Sequence, residues 1–232
     1  MVRGVDGCPA GWIAVTIAAE GPLTPGVTIT RNFADLTTGV EKIAVDMPIG
    51  LPERAGPGGR GAETAARVVL GGRRSSVFSV PSRSAVYALD YPEACRLAEA
   101  TSDPPRKISK QAFFLFPKIR QIDSLLRNDA SLLARVFETH PEVAFWRAND
   151  EAPMLFPKSK PQGLRERRDL LERHGFPAAF LDAPVEWGAK PDDFLDACVC
   201  ALVARRLHAG TALSFPSPPA RDAHGLPVAI WA

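Results

Sequence analysis

The sequence predicts an α/β protein whose sheet begins with three antiparallel strands, and three observations support this fold class. Short apolar runs separated by Gly- and Pro-containing turns open the chain, one later run is apolar almost throughout, and helical segments with clear ends follow. With 232 residues, 46% of them hydrophobic and 23% charged, the chain is long enough to bury a sizeable core and lacks the composition of a disordered protein. We therefore expect one domain over residues 2–232.

Five strands are predicted. The first three, at residues 2–6, 12–18 and 27–31, are joined by turns rich in Gly and Pro, which favour tight antiparallel connections. The fourth, at 42–46, is apolar until its final Asp, which is typical of a central strand buried on both faces. A fifth is expected at 136–139.

Helices are predicted over much of the remaining chain. Their expected ranges are 33–39, 62–70, 92–100, 109–127 with a break at Pro117, 130–135, 143–146, 162–174 and 191–208. The last has the clearest ends, because Pro191 suits its first position, acidic residues follow, basic residues occupy its last turn and Gly210 ends it. The segment 211–232 is predicted to be extended, with a turn at 224–225.

Overall charge and cysteine content exclude several classes of protein. The net charge of +2 does not indicate a nucleic-acid binder, so any basic surface must be local. No run reaches the ~20 apolar residues of a membrane helix, and the N-terminal residues lack the apolar centre of a signal peptide. We therefore expect a cytoplasmic protein without membrane contact. The four cysteines have no CxxC spacing and are predicted to be reduced and metal-free.

Candidate catalytic carboxylates lie at predicted strand ends and on the last helix. Asp6 ends the first strand and Asp46 the fourth, and strand ends are where ligand sites open in α/β sheets. Asp193 and Asp196 are three residues apart and share one helix face. Close carboxylates repel unless a cation neutralises them, and oxygen ligands suit Mg²⁺ or Mn²⁺. Such ions can support phosphodiester cleavage.

A second acidic group surrounds a histidine after the fifth strand. Glu138 and Glu142 flank His140, whose direction is fixed by the proline that follows it. We include Glu142 among the catalytic candidates. Structural roles are an equal alternative for each aspartate taken singly: Asp6 as a turn residue, Asp46 as a cap of the following loop, and Asp192 and Asp193 as helix N-terminal acids. For His140 a structural role is favoured over a catalytic one.

An irregular basic stretch after the fourth strand supplies candidate phosphate contacts. The residues predicted to bind substrate are Arg60, Arg73, Arg74, Ser75, Ser76, Arg83 and Lys118. Aromatic residues are interleaved with them as potential stacking faces, although the group at 113–116 is more typical of a core. The chain has no Walker A sequence, no GxGxxG and no GxSxG, so a P-loop enzyme, a dinucleotide-binding enzyme and a serine hydrolase are not supported.

Six motifs occur together along the chain. In order they are VDGCPAGWIAV, AVDMPIGLP, GRRSSVFSVP, PKIRQID, ETHPEVAF and DDFLDACVCALVARR. This set resembles the DUF429 family, described as predicted nucleases with an RNase H-like fold, from about residue 2 to the C-terminus. The resemblance implies an RNase H-like mixed sheet with antiparallel first three strands, flanking helices and a helical, Arg-rich insertion at about 53–135.

The resemblance also implies a chemistry. In the RNase H-like superfamily the metal ligands correspond to Asp6, Asp46 and Asp193 of this chain, with Asp196 as the alternative on the helix. The expected activity is that of an Mg²⁺- or Mn²⁺-dependent nuclease acting on nucleic acid. The superfamily also contains ATPases, sugar kinases and members without catalysis, so two alternatives remain: a non-catalytic protein that binds nucleic acid or nucleotide, and an ATPase or phosphotransferase. The oligomeric state is not predicted.

Overall fold

The computed structural model describes residues 1–183 and 188–232. Its strands are β1 (Val2–Cys8), β2 (Gly11–Ile17), β3 (Gly26–Thr30), β4 (Lys42–Val45), β5 (Val136–Glu138), β6 (Ser214–Arg221) and β7 (Pro227–Trp231). Its α-helices are α1 (Gly61–Leu70), α2 (Arg83–Val86), α3 (Tyr91–Ala100), α4 (Lys110–Asn128), α5 (Pro141–Ala148), α6 (Pro161–Arg173), α7 (Ala178–Leu181) and α8 (Pro191–Ala209). Short 3₁₀ helices cover Phe33–Leu36, Gly71–Ser76 and Ala130–Leu132.

The first five strands form one mixed sheet in the order β3-β2-β1-β4-β5. Strand β2 is antiparallel to both β1 and β3, whereas β4 is parallel to both β1 and β5. The protein is therefore an α/β protein with a mixed five-stranded sheet of order 32145, which is consistent with RNase H-like topology. The predicted fold class and all five predicted strands are confirmed.

Helices cover both faces of this sheet, so the strands in its middle are fully buried. In β4 the side chains of Ile43 and Val45 pack into one core cluster and Ala44 into the other, as the two-residue period of a strand requires. The cluster on one side contains residues of α5, α6 and α8, and the cluster on the opposite side contains residues of α4. This explains why β4 is apolar without alternation.

Helix α8 approaches strand β1 at a glycine. A Cβ atom built on Gly4 would lie 2.0 Å from the backbone nitrogen of Ala201 and 2.3 Å from the carbonyl oxygen of Ala197. Only a residue without a side chain fits between the two backbones. Gly4 therefore sets the close packing that brings the first turns of α8 near the end of β1.

Replacement of Gly4 with Ala is expected to lower the free energy of unfolding by at least about 3 kcal/mol, since the added methyl group overlaps main-chain atoms that cannot rotate away. Urea denaturation measures the effect. Gly26→Ala in β3 is the matched control, because a Cβ there meets nothing within 4 Å. Equal stability of the two variants would contradict the close approach.

Three helix predictions were wrong in detail. Helix α4 continues through Pro117 instead of breaking there. The fully buried Phe116 and Ile119 hold the helix against the sheet on both sides of the proline, so packing outweighs the lost hydrogen bond. The predicted helices 33–39 and 130–135 are reduced to short 3₁₀ helices at Phe33–Leu36 and Ala130–Leu132. The predicted extended C-terminal segment is confirmed as the separate β6–β7 hairpin.

The described part of the chain contains no helix with the length and apolar character needed to cross a membrane.

Candidate functional site

Two of the predicted carboxylates meet at one edge of the sheet. Because β1 and β4 are parallel neighbours, their carboxyl ends lie side by side, and the Asp46 amide donates to the carbonyl of Val5 at 2.9 Å. Asp6 is buried, and its Oδ1 accepts a hydrogen bond from the Gly7 amide at 2.6 Å. The Asp6 and Asp46 carboxyls are within hydrogen-bonding reach of each other.

The third carboxylate comes from α8, where Asp196 is the more deeply buried of the two candidates and interacts with both Asp6 and Asp46. The Asp196 side chain is 1% exposed and its Oδ2 lies 2.5 Å from Lys158 Nζ, whereas its buried Oδ1 has no hydrogen-bond partner among the described residues. Asp193 instead accepts the backbone N–H of Lys190 at 2.9 Å and caps the helix. We call Asp6, Asp46 and Asp196 the carboxylate centre.

Electrostatics link the three members of the carboxylate centre. Burial raises the pKa of Asp6 well above its ordinary value, and the nearby charges of Asp46 and Asp196 raise this pKa further. Burial likewise raises the pKa of Asp46, whereas His140, Lys158 and the hydrogen bond with Asp6 lower it in part. Burial raises the pKa of Asp196 to about 7, against a lowering effect of Lys158. Folding thus holds these acids close together at an energetic cost.

Lys158 was not predicted as part of the site. It lies between α5 and α6, and its ammonium group pairs with Asp196 and reaches Asp192 Oδ2 at 3.9 Å. Its charge also lowers the pKa values of Asp6, Asp46 and Asp193. In the local sequence, lysines at 158 and 160 lie between two prolines, and nothing there indicates that the segment reaches α8.

The carboxylate centre has the donor atoms that a divalent ion prefers, but not in an arrangement ready to bind one. Among the residues with described positions, no three His, Cys, Asp or Glu side chains form a group that could hold a metal ion as they stand. The donor set nevertheless has the required chemistry, because it consists of carboxylate oxygens and one of them, Asp196 Oδ1, is buried and unpartnered. The cation present among these acids is the Lys158 ammonium group.

The second acidic group is divided between two buried ion pairs. Glu138 accepts hydrogen bonds from Arg60 Nη2 at 2.6 Å and from the Ile49 amide at 2.7 Å, and burial raises its pKa to about 7. Glu142 accepts a hydrogen bond from Arg167 at 2.5 Å. Both carboxylates are thus engaged in holding elements of the fold together.

His140 lies beside Asp46, and its ring has a defined tautomer. Its Nε2 is 3.3 Å from the carbonyl oxygen of Ser76, which can only accept, so Nε2 carries the hydrogen in the neutral ring. Its Nδ1 is buried and has no hydrogen-bond partner in the part of the chain that the structure describes. The two residues line one cleft, which also includes Arg60 and Glu138.

The predicted substrate-binding residues fall into two groups. Arg60 and Arg83 are buried and paired with carboxylates, Arg83 with Asp123 and Asp222 at 2.5 Å each. The others lie at or near the surface: Arg73, which donates to the Met154 carbonyl at 3.0 Å, the exposed Arg74, Ser75 and Ser76, and the partly buried Lys118. The Lys118 side chain packs against Gly7, next to Asp6.

Comparison with known proteins identifies the family of this chain. A family model described as "Protein of unknown function (DUF429)" matches residues 4–221, a range that includes the carboxylate centre and Lys158. Searches of curated proteins and of solved structures found no match to the chain. The description of the family assigns no activity. Because the model covers almost the whole sequence, the chain belongs to the DUF429 family.

Proposed function

We propose that the protein is a divalent-metal-dependent nuclease or phosphodiesterase that acts on nucleic acid with Mg²⁺ or Mn²⁺. One observation carries the proposal: three carboxylates from β1, from the end of β4 and from α8 are held close together in a buried site that raises their pKa values. Perturbed acids at strand ends are typical of catalytic sites, because folding alone does not favour such an arrangement.

In this proposal Asp6, Asp46 and Asp196 hold the ion. When bound, a divalent ion lowers the pKa of water and stabilises the leaving oxygen of a phosphodiester. The chain's own contribution is to fix the three carboxylates on rigid elements. The hydrogen bonds at the ends of β1 and β4 set the first two, and the close packing of α8 at Gly4 sets the third.

Basic side chains beside the carboxylate centre favour a phosphate-containing substrate. The exposed turn that carries Arg74 and Ser75 ends at Ser76, whose carbonyl contacts His140, and His140 is close enough to Asp46 to lower its pKa. Lys118 lies on the other side, against Gly7. Cations near a hydrolytic site position the phosphate backbone without reading its sequence.

The experiment is a cleavage assay with mixed DNA and RNA substrates, in the presence of Mg²⁺, Mn²⁺ or a chelator. Asp6→Asn is expected to reduce the rate at least about 10³-fold, equivalent to ~4 kcal/mol of transition-state stabilisation, because an amide cannot neutralise the ion. Asp169→Asn on exposed α6 surface is the matched control and should retain wild-type activity.

Equal cleavage by wild type and Asp6→Asn would refute the proposal. Salt-sensitive binding of nucleic acid without turnover in any metal would favour the non-catalytic alternative.

A further inference from the structure

Lys158 is held at the carboxylate centre by a chain segment that is itself fixed. The amides of Leu155 and Phe156 donate to the Glu166 carboxylate at 2.8 and 2.9 Å, and the Phe156 carbonyl accepts from Arg167 at 3.0 Å. These contacts attach the residues just before Lys158 to helix α6. The position of its backbone is therefore set by the fold.

A glycine allows this segment to approach α6 closely. A Cβ on Gly163 would lie 2.1 Å from the carbonyl oxygen of Pro157, the residue before Lys158. Arg167 continues the connection, since its guanidinium also pairs with Glu142 of α5 at 2.5 Å. The fixed backbone thus places the lysine beside α8, while its own side chain remains 41% exposed.

The charges at the centre are unbalanced without this lysine. Its ammonium group lies 2.5 Å from Asp196 Oδ2 and 3.9 Å from Asp192 Oδ2, and its charge also acts on Asp6, Asp46 and Asp193. It contacts Oδ2 of Asp196, and within residues 1–183 and 188–232 the buried Oδ1 of that carboxylate has no partner, so it can accept a second cation. The positive charge of a lysine in this position reduces the repulsion between the clustered carboxylates, as the charge of a bound metal ion does.

We infer that Lys158 is a tethered counter-cation that occupies a cation position of the carboxylate centre, so that a divalent ion must displace its ammonium group from Asp196 in order to bind. The inference rests on the proposed function for the identity of the competing ion. In this role Lys158 controls the affinity of the site for metal. In the protein without metal, the lysine partly neutralises the clustered acids.

Metal binds only those molecules in which the lysine has left the site. The apparent affinity for metal is therefore the intrinsic affinity multiplied by the fraction of such molecules. Removing the ammonium group is therefore expected to tighten Mn²⁺ binding roughly tenfold or more. Lys158→Met keeps most of the side-chain length and removes the charge. Lys158→Arg keeps a cation and is expected to bind Mn²⁺ with near wild-type affinity.

The test is titration of metal-stripped protein with Mn²⁺, in which free Mn²⁺ is measured by electron paramagnetic resonance in the absence of substrate. Lys160→Met is the matched control, because Lys160 is an exposed lysine two residues away with no ion pair in the described part of the chain. Far-UV circular dichroism checks that each variant is folded. If Lys158→Met does not fold, Lys158→Gln provides the uncharged side chain.

Tighter Mn²⁺ binding by the uncharged Lys158 variants, with unchanged binding by Lys160→Met, is the expected result. Binding by these variants at wild-type affinity or weaker, or absence of Mn²⁺ binding from every protein, would overturn the inference. The cleavage assay decides the proposed function separately. Tighter Mn²⁺ binding without cleavage would support the role of Lys158 and refute the proposed nuclease. Cleavage with unchanged Mn²⁺ affinity would support the nuclease and overturn the role of Lys158.

Discussion

Replacement of Arg60 with Met is expected to lower the free energy of unfolding by about 3–5 kcal/mol, because it leaves buried carboxylates without their cation. Arg60 Nη2 lies 2.5 Å from Glu63 Oε1 and 2.6 Å from Glu138 Oε1, and all three side chains are at most 5% exposed. Arg60 Nη1 also donates to the carbonyls of Ile49 and Gly50 at 2.7 and 2.8 Å. The variant therefore breaks bonds to three separate parts of the chain.

Arg74→Met is the matched control for this change. Both arginines belong to the basic stretch in the sequence, but Arg74 is exposed and makes no ion pair among the residues described. Its replacement should change stability by less than about 0.5 kcal/mol. Urea denaturation compares the two, and a similarly small effect at Arg60 would show that its buried pairs contribute little.

A double variant separates the charge effect from simple loss of packing. Arg60→Met combined with Glu138→Met removes the cation together with its main buried acid, so the uncompensated charge is largely gone. We expect the double variant to recover part of the lost stability, because a buried pair replaced by apolar groups costs less than a broken pair. If the stability loss of the double variant equalled the sum of the losses of the two single variants, the uncompensated buried charge would not be the cause of the destabilisation.

Local patterns were sufficient to predict the strands of the sheet. The run ending at Asp46 is apolar because the sheet is covered on both faces, and the turns between β1, β2 and β3 are marked by Gly and Pro. The path of α4 could not be predicted, since the effect of Pro117 depends on packing by Phe116 and Ile119 against distant strands. Propensity alone does not contain that information.

The candidate site was predictable only where strands end. Asp6 and Asp46 follow apolar runs, and adjacent parallel strands place their ends together. The choice between Asp193 and Asp196 was not predictable, because α8 is buried almost all round beyond its first turn and has no single apolar face to orient it.

Long-range ion pairs were the other part that could not be predicted. Arg60 and Glu138 are 78 residues apart, and Arg83 and Asp123 are 40 residues apart. The sequence therefore does not show that two arginines of the basic stretch, Arg60 and Arg83, are paired with buried carboxylates in the folded protein. For Lys158 the sequence fails in the opposite direction. Nothing in the sequence marks this lysine as functional, yet its ammonium group lies among the buried acids of the site.

Asp196→Asn is expected to stabilise the metal-free protein, by about 2–4 kcal/mol at pH 8, while it impairs the proposed activity. Burial raises the pKa of Asp196 to about 7 from an ordinary value of 3.8. A raised carboxyl pKa means that the contribution of this group to stability is complete below pH 3.8 and is lost as the pH rises to about 7. Asparagine does not ionise and avoids this loss.

The stability difference between Asp196→Asn and wild type should therefore grow between pH 4 and pH 7 and become constant above pH 8. Asp182→Asn is the control with the opposite sign, because hydrogen bonds from Arg168 lower the pKa of Asp182, so that its charged form is favoured in the folded protein. Urea denaturation in the presence of a chelator measures both series. Destabilisation by Asp196→Asn at every pH would mean that the Lys158 pair outweighs the burial of charge. Stabilisation that increases with pH would mean that the fold holds Asp196 ionised against its own stability, as expected of a residue retained for binding a cation.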